Sequence, residues 1–228
     1  DLIMMMSDGV IHAGVGESLN FGWDVKEIRE FSEIQYDDTL TANTMASILA
    51  NACWSLYGRH PGDDTTVLAV KKRATRTANM MIGPPVDKER DEEAVRTFMG
   101  MPGRKIVCGG TSSQVVARVL GRELTTSFDY PDKDVPPIGF IDGVDLVCEG
   151  VLTLKRMLDH ARAYADVKSP EIKQFKGRDG ASLLAQELLI NATDVNLFVG
   201  RNVNQAHEGL NIDNKTKLDG VATLASIL

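Results

Sequence analysis

The chain has 228 residues, of which 43% are hydrophobic and 25% charged, and its formal net charge is −7. Such a length and apolar share suffice for the core of one large domain or two modest ones. The acidic balance argues against a nonspecific nucleic-acid surface or an anionic membrane as partner. No stretch is apolar enough to span a bilayer, and the first residues lack a signal-peptide pattern. The apolar run of residues 2–6 reads as a strand buried on both faces, with neighbours on each side, and Ser7-Asp8-Gly9 as its exit turn. Residues 10–38, with glycines at 14, 16 and 22, read as loop and short helix. Over residues 41–57 a stripe of Met45, Ile48, Leu49, Ala52 and Leu56 predicts a helix, and Gly58 follows its C-cap. Pro61-Gly62 turns the chain, and residues 65–70 are β-branched and apolar enough for a strand.

The polar stretch "KKRATRTAN" has no periodicity and places a domain boundary near Arg73, with Met80 and Met81 packing against that seam. Beyond it, Asp87 caps a helix running to about Met99, and the acidic run 87–93 reads as its solvated face. Residues 105–108 form a short strand, Gly109-Gly110 a turn, 111–120 a helix, and 123–128 a second strand, together a compact β-α-β reading. Asp142, Asp145 and Glu149 in "IDGVDLVCEG" lie near a turn and offer ligands to a cation, but read better as loop carboxylates and a charge at a helix N-terminus. Helices follow from the stripe Val151, Leu154, Leu158, Ala161 and over 182–191, then a strand over 195–199. Residues 202–228 are ambiguous between helix and strand. Cys53, Cys108 and Cys148 are far apart, without a CxxC pair, and read as reduced, buried thiols suited to the cytoplasm.

Two acidic turns carry the chemistry of the first seventy residues. Asp8 follows one strand, and Asp63-Asp64 precede another. A carboxylate at the junction of a strand and a turn is held rigidly and offered to a cleft. Hard cations such as Mg²⁺ and Mn²⁺ need two or three such oxygens and keep some waters. Gly9, with no side chain, lets the backbone pass close to the ion. A Pro-Gly-Asp-Asp bend also forms without any ligand, so the pattern alone leaves a plain turn open.

"MMSDGVIHAG" followed by "GDDTTVLAV" resembles the closing half of the metal-dependent PPM-type serine/threonine phosphatases, on the bacterial branch typified by the stage II sporulation E phosphatase. The resemblance implies Asp8 and Asp63 as metal ligands, with Gly9 and Asp64 as their neighbours. It implies a binuclear Mn²⁺ or Mg²⁺ centre in the intact parent, a bridging water that attacks the phosphorus of phosphoserine or phosphothreonine, and no side-chain nucleophile. The match covers residues 1–73 only. The family's upstream Asp-Gly element has no counterpart here, so the chain is expected to be an incomplete form that is inactive alone. His12 stands where relatives often carry an acid, and reads as a surface loop residue.

The expected fold class is α/β (α+β): a partial PPM-type β-sandwich segment over residues 1–73, then a separate α/β accessory domain over 74–228. In the second domain Gly109, Gly110, Thr111, Ser112 and Ser113 sit where a helix begins, and offer a small anion N–H groups and hydroxyls. An ordinary N-cap explains them as well. The leading reading is a cytoplasmic signalling phosphatase acting on phosphoproteins, with a regulatory second domain. Two rivals stay open: a non-catalytic scaffold with a degenerate phosphatase module, and an α/β domain acting on a small phosphorylated metabolite.

Overall fold

The structure is a computed structural model that describes residues 1–166, 168–169, 175–202 and 214–227. It is a mixed α/β protein that divides into two compact units. One comprises Asp1–Ala74 with Asp166–Gln174, the other Thr75–Ala165 with Phe175–Leu228. The sequence reading did not assign residues 166–174 to the first part. No described helix is long and apolar enough to cross a membrane.

The first unit contains β1 (Leu2–Met6), α1 (Asp8–Ile11), α2 (Val25–Gln35), α3 (Ala42–Leu56) and β2 (Val67–Lys71). β1 and β2 pair antiparallel, from Leu2 opposite Lys71 to Met6 opposite Val67. The expectation that β1 is buried on both faces is overturned. Met4 and Val67 pack toward the helical core, while Ile3 and Met5, opposite Val70 and Leu68, are half or more exposed. A two-stranded ribbon has helices against one face only, and an unbroken apolar run does not reveal how many neighbours a strand has. The exit turn after β1 is in fact the short helix α1.

α3 forms for the reason its stripe predicts: Met45, Leu49 and Cys53 recur at helical spacing and are each about 1% exposed. The Thr41 hydroxyl caps its start by accepting from the Thr44 N–H at 3.0 Å. The reading of residues 10–38 as mostly loop missed α2, an eleven-residue helix capped by Asp24, which accepts from the Lys26 N–H at 2.7 Å. Its apolar residues Val25, Ile28, Phe31 and Ile34 recur every third position, with Ile28 buried and Phe31 partly so, and the preceding glycines drew the reading toward loop instead.

The second unit runs β3 (Thr77–Ile82), a 3₁₀ turn (Lys88–Arg90), α4 (Asp91–Gly100), β4 (Arg104–Cys108), α5 (Gly110–Leu120), β5 (Thr125–Thr126), β6 (Gly139–Phe140), β7 (Leu146–Cys148), α6 (Val151–Ala165), α7 (Gly180–Ala185) continuing into a π-helical stretch (Gln186–Asn191), β8 (Asp194–Val199) and α8 (Asn214–Ile227). The strands form one sheet in the order β5-β6-β7-β4-β3-β8. β7, β4, β3 and β8 are mutually parallel, and β5 and β6 run antiparallel at the edge. Ala78, Met80 and Ile82 face a core shared with α6, α7 and α8. Met81 faces the opposite core with Val95 and Phe98 of α4 and Val116 of α5. Period-two alternation thus feeds two cores, as a doubly covered parallel sheet requires.

Several expectations for this region are corrected. Met80 and Met81 do not flank a seam but lie in a central strand. β4 pairs parallel with β3 and with β7, the latter inside "IDGVDLVCEG", whereas residues 123–128 supply only the two-residue β5. Leu146, Val147 and Cys148 are nearly fully buried, and a three-residue buried strand leaves too short an apolar run to read. Asp145 is not an idle loop carboxylate, since its Oδ2 accepts from the Lys105 N–H at 2.6 Å. Asp91, placed on a solvated face, is 4% exposed and pairs with Arg118. The ambiguous 202–228 region includes α8, and residues 203–213 lie outside the described residues.

All three cysteines are free and buried. Burial pushes the Cys53 thiol up to about 11, and a hydrogen bond with Cys108, with burial added, raises Cys148 well above the ordinary thiol value. These are packing residues rather than nucleophiles.

Asp179 caps α7. Its Oδ1 accepts from the N–H groups of Ala181 and Ser182, both at 3.0 Å, and its Oδ2 from the Ser182 hydroxyl at 2.6 Å. Desolvation pushes its pKa upward, but the bonds from Ser182 and Ala181 together outweigh burial and hold it below the ordinary aspartate value. Asp179→Ala is expected to cost about 1 kcal/mol in urea denaturation followed by far-UV circular dichroism. A depressed folded pKa stabilises above the unfolded value and is lost as pH falls through the folded one. The gap between wild type and variant should therefore close below about pH 4.

Candidate metal centre

The strand-to-turn junctions bearing Asp8 and Asp63 lie at the same end of the β1–β2 ladder, because antiparallel pairing sets the end of β1 against the beginning of β2. Ser7 ties them together. Its N–H donates to the Thr66 carbonyl at 3.0 Å, its hydroxyl donates to the Asp64 carbonyl at 3.0 Å, and that hydroxyl accepts from the Thr66 N–H at 2.9 Å. Asp8 opens α1 and His12 is the C-cap residue, its N–H donating to the Asp8 carbonyl at 2.9 Å. One turn of helix therefore sets the two side chains on one side.

One ligand atom each from Asp8, His12 and Asp63 lies within 4.8 Å of the other two. His12 Nδ1 is 3.8 Å from Asp63 Oδ2. Asp63 Oδ1 accepts from the Asp64 N–H at 2.8 Å, which fixes the carboxylate and leaves Oδ2 turned toward His12. All three residues are exposed, so two carboxylates this close repel by on the order of 1 kcal/mol. That is small enough for the backbone bonds of the turn to hold them together unaided. The donor set fits a divalent ion: two carboxylates suit Mg²⁺ and Mn²⁺, and the imidazole shifts preference toward Mn²⁺ and later transition metals. Donors on one ion at about 2.1 Å lie no more than about 4.2 Å apart, so these exposed side chains need close only slightly.

Gly9 is where the two segments touch. A side chain on it would begin 2.5 Å from the Asp64 carbonyl oxygen and 3.0 Å from the Thr65 hydroxyl. On its other side the Gly9 carbonyl accepts from the Tyr57 hydroxyl at 2.8 Å. Burial first, then the negative charge of Asp63 and of Asp8, raises the Tyr57 phenol above its ordinary value despite the opposing bond with Thr65. Tyr57 thus stays a donor at neutral pH. Among the described residues this is the one group of three or more such donors close enough to share an ion.

Of the residues expected at the centre, Asp8 and Asp63 come together. Asp64 contributes its backbone, and its carboxylate is outside the group. His12, taken as a surface residue, is exposed yet belongs to the group, and the Asp8-x-x-x-His12 spacing on a helical turn was the available signal. Tyr57 left no signal, being the C-cap residue that follows the last apolar position of α3.

The second expected site is placed differently. Gly109 has φ 117° and donates its N–H to the Cys148 carbonyl at 2.8 Å. The Ser113 N–H and hydroxyl both donate to the Gly109 carbonyl, and the Ser112 hydroxyl accepts from the Gly83 N–H at 2.8 Å. The Glu149 carboxylate lies beside Gly110, 3.1 Å from where a side chain there would begin, and Thr111 is half-buried. Much of the hydrogen-bonding capacity of this helix start is used within the protein.

Comparison with known families, with curated proteins and with solved structures finds no match to the chain.

Proposed function

We propose that residues 1–74 carry one side of a metal-dependent phosphomonoester hydrolase centre of the PPM type, acting on phosphoserine or phosphothreonine in proteins. The observation that carries this reading is the convergence of Asp8, His12 and Asp63 at one end of the β1–β2 ladder. When bound, a divalent ion supplies Lewis acidity and a lowered pKa for water. The chain's residues do the rest. Asp8 and Asp63 bring the negative charge that holds a cation, and the Asp64 N–H fixes the orientation of Asp63. Tyr57 anchors the Gly9 carbonyl, so α1 presents Asp8 and His12 at a fixed height.

The test uses the protein encoded by the complete open reading frame. Hydrolysis of p-nitrophenyl phosphate and of a phosphoserine peptide should rise and saturate with Mn²⁺. Hydrolysis that is unaffected by chelation, or absent at saturating Mn²⁺, overturns the proposal. A second reading, a non-catalytic module with one bound ion, is favoured by the single donor group among the described residues. It predicts one Mn²⁺ per chain and no turnover in that complete protein.

His12 separates this site from an all-carboxylate one. His12→Ala is expected to weaken Mn²⁺ binding about tenfold, which is about 1.4 kcal/mol, and to leave Mg²⁺ binding nearly unchanged. Electron paramagnetic resonance titration of Mn²⁺, with Mg²⁺ competition, reads both.

A further inference from the structure

The second unit has a crevice unrelated to the metal centre. From β3 the chain crosses the sheet in one direction to β4 and then β7, and it later returns to set β8 on the far side of β3. After β3 the chain runs to α4, which packs on one face. After β8 it runs on to α8, whose Val221 and Leu224 pack on the other. Two adjacent parallel strands whose following helices pack on opposite faces open a crevice at their carboxyl ends, the usual ligand position in open α/β sheets.

A cavity of about 560 Å³ lies at this point, with Met81, Phe198, Val86, Ala94, Arg90 and Arg201 among its lining residues. Its origin is visible in the layers. Phe198 faces the side covered by α4 and α5, while α6, α7 and α8 cover the other, so among the described residues β8 has no helix of its own there. Toward the opposite end of the same strands, Asn196 donates to Asn79 at 2.9 Å and fills that face with a polar pair. The opening is thus confined to the carboxyl end. Gly200 closes its base: its N–H donates to the Ile82 carbonyl at 2.9 Å, and a side chain there would run into the carbonyls of Gly83 and Pro84.

The polar groups define the ligand. The Gly83 and Gly200 amides at this end are already used, on Ser112 and Ile82, and prolines 84 and 85 have none. An anion here would be met by side chains: Arg90 and Arg201 line the cavity, beside the carboxylates of Asp87 and Glu93. Arg90 is held loosely, 3.4 Å from Glu93 with both side chains mostly exposed, and can exchange that partner. Met81, Val86 and Phe198 offer apolar surface to a flat ring. We propose that this crevice binds an organic anion of about mononucleotide size, with a planar ring against Met81, Val86 and Phe198 and its anionic group toward Arg90 and Arg201. The volume lies within the range of small-molecule sites.

The test is titration of the ¹⁵N-labelled full chain with adenosine monophosphate and, separately, with 1-naphthoate, which share this chemistry but come from different sources. At least one probe should shift the amide resonances of Met81, Gly83 and Gly200 saturably and with one-to-one stoichiometry. Response to the nucleotide alone or to the aryl acid alone assigns the source and supports the site equally. Ala94→Trp, which fills the crevice, should abolish binding, and Arg90→Glu should weaken it at least tenfold. Arg90 is largely exposed, so that variant tests the site even if Ala94→Trp fails to fold. No shifts at these amides with either probe up to millimolar concentration, or Arg90→Glu binding as tightly as wild type, overturns the proposal.

Discussion

Asp8→Asn and Asp63→Asn are each expected to lower kcat/KM for Mn²⁺-dependent phosphomonoester hydrolysis at least 100-fold in the protein encoded by the complete open reading frame. The amide keeps the size of the carboxylate but removes its charge, and among the described residues two carboxylates and an imidazole make up the candidate centre. A 100-fold loss is about 2.7 kcal/mol of transition-state stabilisation, within reach of one removed metal ligand. Raising Mn²⁺ should restore part of the activity if the loss is one of affinity. Asp64→Asn provides the contrast. Its carboxylate lies outside the donor group, and its contribution, the N–H to Asp63 Oδ1, is retained in Asn. Activity should change less than threefold. Equal losses in all three variants would mean that the turn matters only as a whole, and undamaged activity in Asp8→Asn would remove Asp8 from the site.

How much of this was legible in the sequence follows from what each signal depends on. α3 and β4 were readable because their apolar spacing is local and strong. β7 was not, since it has three residues whose burial comes from neighbours distant in sequence. α2 carries a clear repeat of Val25, Ile28, Phe31 and Ile34, which the glycine-rich stretch before it obscured. Asp8 and Asp63 were legible as strand-end carboxylates, and the geometry that brings them together follows from one antiparallel pairing. His12 needed the knowledge that Asp8 begins a helical turn rather than a plain bend, since a helical turn holds residues four apart on one side and a plain bend does not. Tyr57 could not have been found, because its bond to Gly9 joins residues 48 positions apart. The crevice between β3 and β8 was equally hidden, as strand order is a property of the whole sheet and not of any segment.

Gly9 offers a test in which two effects of opposite sign compete. It lies within α1, where replacing glycine by alanine ordinarily gains up to about 1 kcal/mol through backbone entropy. The alanine Cβ would, however, begin 2.5 Å from the Asp64 carbonyl oxygen, and that oxygen cannot yield freely because it accepts from the Ser7 hydroxyl. Nor can α1 retreat without stretching the Tyr57 bond to the Gly9 carbonyl. Overpacking against fixed backbone typically costs about 1–3 kcal/mol. Steric conflict should win, so Gly9→Ala is expected to destabilise the first unit by about 2 kcal/mol and weaken Mn²⁺ binding at least tenfold, as the Asp63 turn is pushed from Asp8. Both tryptophans, Trp23 and Trp54, belong to the first unit, so urea denaturation followed by tryptophan fluorescence reports on it selectively. Far-UV circular dichroism on the same samples follows both units. Gly62→Ala, where a Cβ meets only the Tyr57 ring at 3.7 Å, should leave stability within about 0.5 kcal/mol and is the matched control. A Gly9→Ala protein as stable as wild type, with unchanged Mn²⁺ affinity, would show that the contact between Gly9 and Asp64 does not set the spacing of the two aspartates.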